Sequence, residues 1–468
     1  MTFLFIGVIL LCNIIIYFFH SKNLLFGFRD NDGLFHLESA KEIKIKKSLL
    51  IYHNKYFPGH YVRYTYPPLF HVFLSILIGQ VSEKKLLLLP VISSIIISLF
   101  LFLISIFLGY SYDKAMLVSC IYLIMPSNIA NNFAITPRQL GIIFYTLSSF
   151  FGAFSIQNNS LLYLFISIIF LGLLFLTHRM GSQLIIICWF IINFILLSLK
   201  PVFIFYSLIW LISGLLFAII ITHGKYIYVF LDHLKRLKIH FNYGSQTGKG
   251  FKLPNMLEII SLNPYIIIII MSYFSSSFNK LPLYTILRTL ILIIGAVSIL
   301  WLWGSGSRHI IFSSPLVALL IPITINITSY SFIILTVLSI IIMFYYVIIQ
   351  YRKNLIPQTT YDVYNYLNEK SDSTVVAILP KIASPSFVYF VNKKIFSFPH
   401  DSGAMIFNRI LLRDNLNNSG HIANIFIKGG VDALLINKKY NAANIVSIMN
   451  FIKSYENIDW IVFEKHIY

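Results

Sequence analysis

Residues 86–109 read Leu-Leu-Leu-Leu-Pro-Val-Ile-Ser-Ser-Ile-Ile-Ile-Ser-Leu-Phe-Leu-Phe-Leu-Ile-Ser-Ile-Phe-Leu-Gly, without one charged side chain. About 20 apolar residues in a helix cross the ~30 Å hydrocarbon core of a bilayer. Working outward from this run, comparable stretches occupy 2–19, 115–130, 140–156, 161–177, 181–199, 201–222, 257–275, 281–303, 309–327 and 329–350, eleven spans in all. The expected fold is a polytopic α-helical membrane protein. Thr2–Phe19 lacks a basic n-region and a small-residue cleavage site, so it is expected to stay as a first span.

Composition agrees. The 468 residues are 57% hydrophobic and 11% charged, with a mean hydropathy of +0.79, whereas a soluble chain carries about 25% charged residues. The net charge is +19. Basic membrane proteins use such charge to bind anionic lipid headgroups. No nucleic-acid motif accompanies it, so a phosphate-bearing lipid is the expected partner, and nucleic acid is not. Cys12, Cys120 and Cys188 all lie inside apolar runs, which gives neither a disulfide framework nor a metal cluster.

Between the spans lie three longer polar regions. After the first, residues 20–66, the apolar stretch Leu69–Val81 follows Tyr66-Pro67-Pro68 and is only 13 residues long. It is expected to re-enter or lie at the interface rather than cross. The second, residues 223–256, carries Lys225, Lys235, Arg236, Lys238, Lys249 and Lys252 with a glycine-rich end, and reads as a loop. The third divides the chain into a transmembrane domain, 1–355, and a small C-terminal α/β domain, 356–468. In that domain Tyr361–Lys370 and Ala442–Ser454 read as helices. Thr374–Leu379, Phe387–Val391, Gly430–Asn437 and Trp460–Glu464 read as strands.

Carboxylates are scarce. Of 17 Asp and Glu, eight precede residue 356, and four of these crowd together as Asp30, Asp32, Glu38 and Glu42. Membrane-domain chemistry that needs a carboxylate should therefore use this first loop. Local structure offers another reading: Asp30, Asn31 or Asp32 can cap a helix starting near Gly33, and Glu38 and Glu42 can pair with Lys41, Lys46 or Lys47. Capping and catalysis are compatible.

Three span boundaries present an arginine: Thr136-Pro137-Arg138-Gln139-Leu140-Gly141, Thr177-His178-Arg179-Met180-Gly181, and Gly304-Ser305-Gly306-Ser307-Arg308-His309. An arginine there serves as a snorkelling anchor or as a rigid donor fork for phosphate. If Leu69–Val81 does not cross, the first loop, all three arginines and the tail share one face. On that face 19 Lys and Arg precede residue 310, against Lys114, Lys200 and Lys280 opposite. The positive-inside rule makes such a face cytoplasmic.

Asp30-Asn31-Asp32-Gly33-Leu34-Phe35-His36 after a first span, then Tyr66-Pro67-Pro68-Leu69-Phe70-His71 opening an apolar helix, resembles the GT-C superfamily of membrane glycosyltransferases. That group includes oligosaccharyltransferases, protein O-mannosyltransferases and the aminoarabinose transferases of lipid A. Arg308-His309 before a run containing Pro315, and the tail domain, fit the same resemblance. It implies transfer of a sugar from a polyprenyl-phosphate-linked donor to a lipid, glycan or protein acceptor. It also implies a plasma-membrane location with the site and tail outside the cytoplasm, against the charge count. Asp32, four residues before His36, best matches the family's acid, with Asp30 second. Arg308, His309, Arg179, His178 and Arg138 would hold the donor phosphate; His36, Glu38, Tyr66 and His71 would line the pocket.

The sequence departs from oligosaccharyltransferases at their second acidic pair, which helps bind a divalent metal. Here Asn128-Ile-Ala-Asn-Asn-Phe-Ala-Ile-Thr-Pro-Arg138 contains no acid, so a metal-independent enzyme without a cofactor is expected. The competing classes are a transporter or flippase and a non-catalytic envelope-assembly scaffold. A transporter would show internal repeats and ionisable residues at mid-membrane; no repeat is found, and among span interiors only Arg288 stands out.

Overall fold

The computed structural model describes residues 31–49, 66–86, 88–132, 135–197, 202–243, 256–272, 282–300, 307–324, 330–353, 357–371, 374–379, 387, 390–391, 393–396 and 419–465. The expected first span, 2–19, lies outside them.

Apolar composition and scarce helix breakers make the spans helical. Leu89–Phe107, Arg138–Asn158, Leu161–Thr177, Arg179–Leu197, Val202–Ile221, Pro282–Leu300 and Tyr330–Lys353 follow the sequence runs closely. Among the described residues, Leu89–Phe107 and Arg138–Asn158 are each long and apolar enough to cross a membrane; the remaining apolar helices are shorter there. Leu103, Phe205, Ile220, Ile334 and Ile341 are more than half exposed. Helices that are apolar on their outer faces suit hydrocarbon rather than water.

Prolines divide two of the expected spans. Residues 115–130 become Tyr112–Ile124 and Pro126–Asn131, because Met125 precedes proline and is extended at φ −60°, ψ 128°. Residues 257–275 become Met256–Leu262 and Ile266–Ser272 on either side of Asn263-Pro264. The 309–327 run starts as the short helix Ser307–Ile310, tightens into a 3₁₀ turn at Ile311–Ser313 and continues as Ser314–Thr324.

Small residues allow a close helix approach. A Cβ on Gly172 would lie 2.2 Å from the Phe217 ring, and one on Gly214 would lie 2.5 Å from Leu171. Glycines at a crossing let backbones come together where lipid supplies no hydrophobic drive. At the same crossing the Trp210 indole N–H donates to Ser167 Oγ at 2.6 Å.

The stretch after Tyr66-Pro67-Pro68 forms a helix of nine residues, Leu69–Leu77. At about 1.5 Å per residue it is roughly half the length needed to cross. It ends in a turn at Gly79, φ +88°, where Lys44 Nζ donates to the Ile78 carbonyl. The segment read as a loop at 223–256 is instead helical over Tyr226–Tyr243. Its basic residues hid an apolar spacing, Phe230, Leu231, Leu234, Leu237, that helical periodicity explains.

The tail holds a five-stranded sheet: β1 Val375–Leu379, β2 Lys394–Ile395, β3 Ala433–Asn437, β4 Phe451–Glu456 and β5 Trp460–Lys465. The order is β2-β1-β3-β5-β4. The first three strands run parallel and the last two join antiparallel. Two expectations are corrected. Phe387 and Phe390 are helical rather than part of a strand, and Lys394–Ile395 pairs there instead. The expected 442–454 helix stops at Met449, because Asn450 adopts φ +52° and the chain turns into β4.

This sheet is joined to the first loop. Phe35 and Ile43, on the helix Asn31–Lys46, share a buried cluster with Val363, Leu367, Val376, Phe387 and Val462, and Tyr66 and Val72 pack on its edge. The first loop and the tail therefore lie on one face of the bundle.

Candidate functional site

The helix Asn31–Lys46 carries the first-loop motif. Asp32 sits in its first turn, one turn before His36; positions four apart share a helix face. Asp30 lies outside the described residues, and Asp32 and Arg308 are described by backbone position alone. Glu38 is buried and pairs with Lys41 at 3.6 Å, and Glu42 pairs with Lys46 at 2.9 Å. These are the local pairings that the spacing offered.

His36 and His71 are both buried, and His36 Nδ1 lies 2.8 Å from His71 Nε2. Tyr66 closes the pair edge-on, with ring centroids 5.2 Å from His36 and 5.5 Å from His71. The short helix Leu69–Leu77 thus delivers His71 to His36, and Pro67-Pro68 fix the entry that places Tyr66 over both.

The second motif meets the first here. The Arg179 guanidinium lies 5.2 Å above the Tyr66 ring. Its Nη2 is 3.6 Å from Asp232 Oδ2 on the helix Tyr226–Tyr243, with both side chains nearly buried. The preceding residue, His178, accepts the Gly181 N–H at Nδ1, 3.0 Å away.

Glycines bring the other two motifs in. A Cβ on Gly141 would sit 2.7 Å from His178 Cβ, and one on Gly181 would meet Phe312 at 3.0 Å. His178 and Phe312 face each other with ring centroids 5.6 Å apart. The short helix bearing Arg308 and the buried His309 packs against Arg179–Leu197. Arg138 donates to Asn131 Oδ1 at 2.8 Å. His36, Tyr66, His71, Arg179 and His178 are therefore in direct sequence of contact, with the Arg138 and Arg308 motifs packed beside them.

In the acid-free stretch 128–138 and the adjoining Gln139, amides form a buried network with Ser94. Ser94 donates toward Asn128 Oδ1 and Asn132 Oδ1 at 2.8 and 2.7 Å, and Gln139 Nε2 donates to Asn132 Oδ1 at 2.8 Å. These oxygens already accept hydrogen bonds and none is a carboxylate, a poor set for a hard divalent cation. Among the described residues no group of three His, Cys, Asp or Glu is placed to hold a metal.

Asp232 is the residue that sequence reasoning missed. It was one acid in a segment of six basic residues, and a loop reading gave it no partner. The helical spacing of its apolar neighbours was the available signal.

No protein-family model matches the sequence, and no curated protein matches it. Solved structures do match. The chain aligns over 99% of its length with 74% of the Archaeoglobus fulgidus oligosaccharyltransferase tethered to an acceptor peptide containing the NVT sequon, with TM-score 0.53 and 11% identity. It aligns over 98% of its length with 98% of apo ArnT from Cupriavidus metallidurans, with TM-score 0.56 and 8% identity. ArnT bound to undecaprenyl phosphate gives TM-score 0.55 and 10% identity, covering 99% of this chain and 97% of that one. The fold is that of the GT-C glycosyltransferases.

Proposed function

We propose that this chain is a GT-C glycosyltransferase of the plasma membrane, transferring a sugar from a polyprenyl-phosphate-linked donor to a lipid, glycan or protein acceptor during cell-envelope glycan assembly. The observation that carries this reading is the meeting of the acid-bearing first loop with Arg179 through the Tyr66 ring. It supports one site that combines a carboxylate with arginines. The site and tail face away from the cytoplasm in this reading.

Asp32 takes the proton from the acceptor hydroxyl as its oxygen bonds to the anomeric carbon. The bond from that carbon to the phosphate oxygen breaks, and its electron pair leaves with the polyprenyl phosphate. Arg179, Arg308 and Arg138 stabilise that developing charge in a site of low dielectric. A single displacement of this kind inverts the anomeric centre. Asp30 is the alternative base.

The amide network supports a metal-independent reaction. Transfer of radiolabelled sugar from polyprenyl-phosphate donors, assayed with the full chain in membranes, tests the reading. Transfer is expected, and it should persist under chelator. Loss under EDTA with recovery on adding Mn²⁺ or Mg²⁺ would contradict the metal-independent branch. Absence of transfer with every donor, alongside movement of the lipid between leaflets, would favour a flippase.

A further inference from the structure

We infer that Asp232 is a positioning residue for Arg179, holding its guanidinium where the phosphate of a lipid-linked donor binds; this rests on the function proposed above. Arg179 is the first residue of the helix Arg179–Leu197. That is an unfavourable place for a cation, because the unpaired N–H groups of a helix N-terminus carry partial positive charge and attract anions. Something must hold the cation there.

Among the described residues, Tyr66 and Asp232 approach it from different elements. Tyr66 presents its ring face at 5.2 Å, and Asp232 presents a carboxylate oxygen at 3.6 Å. Side-chain exposure is 11% for Arg179 and 8% for Asp232, so solvent screens their attraction little. The distance exceeds the 2.7–2.9 Å usual for a charge-assisted hydrogen bond, so the carboxylate acts on the cation chiefly through its field.

The surroundings argue against simple neutralisation of surface charge. Asp232 is the one acid between residues 223 and 256, against six Lys and Arg. Lys235 follows one turn later on the same helix and is exposed, yet Asp232 and His233 turn inward and are buried. The helix Tyr226–Tyr243 thus directs its single carboxylate at the arginine that touches the first-loop motif.

The test measures binding of undecaprenyl phosphate to the purified full-length chain in detergent, with melting temperature as a control for folding. Asp232→Asn is expected to weaken binding about fivefold or more while melting stays close to wild type. Asp232→Glu should recover part of the loss, since it keeps the charge one methylene away. In an Arg179→Ala background, Asp232→Asn should change binding no further, as coupled residues are non-additive. Unchanged or tighter binding by Asp232→Asn overturns the inference, as does an equal loss with and without Arg179. If Asp232→Asn does not fold, Asp232→Ser, which also removes the charge, decides in the same assay, and wild-type affinity there overturns it. A wild-type chain that binds no undecaprenyl phosphate overturns this inference and the proposed function together, whereas the Asp232 outcomes bear on this inference alone.

Discussion

His36 Nδ1 lies 2.8 Å from His71 Nε2, joining the first-loop helix to the short helix Leu69–Leu77 through two buried rings. One nitrogen must donate and the other accept. His71→Phe keeps a flat ring but cannot make the bond, and an impaired buried polar pair costs about 1–3 kcal/mol. Thermal unfolding in detergent should show a lower melting temperature with reduced transfer. A variant as stable and active as wild type would mean the pair holds nothing in place.

Gly141→Ala sets two effects against each other. Alanine gains about 1 kcal/mol of helix propensity over glycine, but its Cβ would meet His178 Cβ at 2.7 Å, and overpacking costs about 1–3 kcal/mol. His178 is followed directly by Arg179, so its displacement should also disturb the site. The expected outcome is a chain of lower stability with weakened donor use; a stabilised, fully active variant would show that the turn at His178 yields freely.

Shared burial of Phe35 and Val363 puts the first loop and the tail on one side. Cysteines introduced at the exposed positions Lys47 and Ile458 should react with an impermeant maleimide from the same side of sealed vesicles. Reaction from opposite sides would break the one-site account. Whichever side reacts also resolves the opposition between the charge count and the proposed orientation.

Arg308 is expected to matter through its donor fork. Charge-assisted hydrogen bonds contribute roughly 1.5–3 kcal/mol each, so Arg308→Ala should raise the donor Michaelis constant by about tenfold or more. Lysine keeps the charge and loses the planar fork, so Arg308→Lys should recover only part. Full rescue by lysine with unchanged kinetics would make Arg308 a snorkelling anchor.

Much of this architecture was legible in the sequence, for physical reasons that also mark where legibility stopped. Hydrocarbon demands long uncharged helices, so runs such as 161–177 predicted Leu161–Thr177 to the residue. The 13-residue length of Leu69–Val81 likewise anticipated a helix too short to cross. Breaks at Met125 and Asn263 were missed because apolar runs hide a proline's effect on the residue before it. Asn450 looked helical because amphipathic spacing continues past it, while its left-handed backbone is set by the turn into β4. The site was half visible. Arginines beside small residues stood out, but the Gly141–His178 approach and the Arg179–Asp232 pair join segments 37 and 53 positions apart in sequence. No local pattern encodes such distant contacts, and the basic composition of 223–256 concealed the helix that supplies the carboxylate.

Asp32 is the proposed base of the glycosyl transfer. Asparagine keeps the shape of the side chain and any bond to the helix N-terminus, but cannot accept the proton. A general base contributes about 10²–10⁴-fold. With radiolabelled polyprenyl-phosphate sugar, the account predicts that Asp32→Asn abolishes measurable transfer while the chain still folds and binds donor. Transfer within a few-fold of wild type would contradict it and move the role to Asp30.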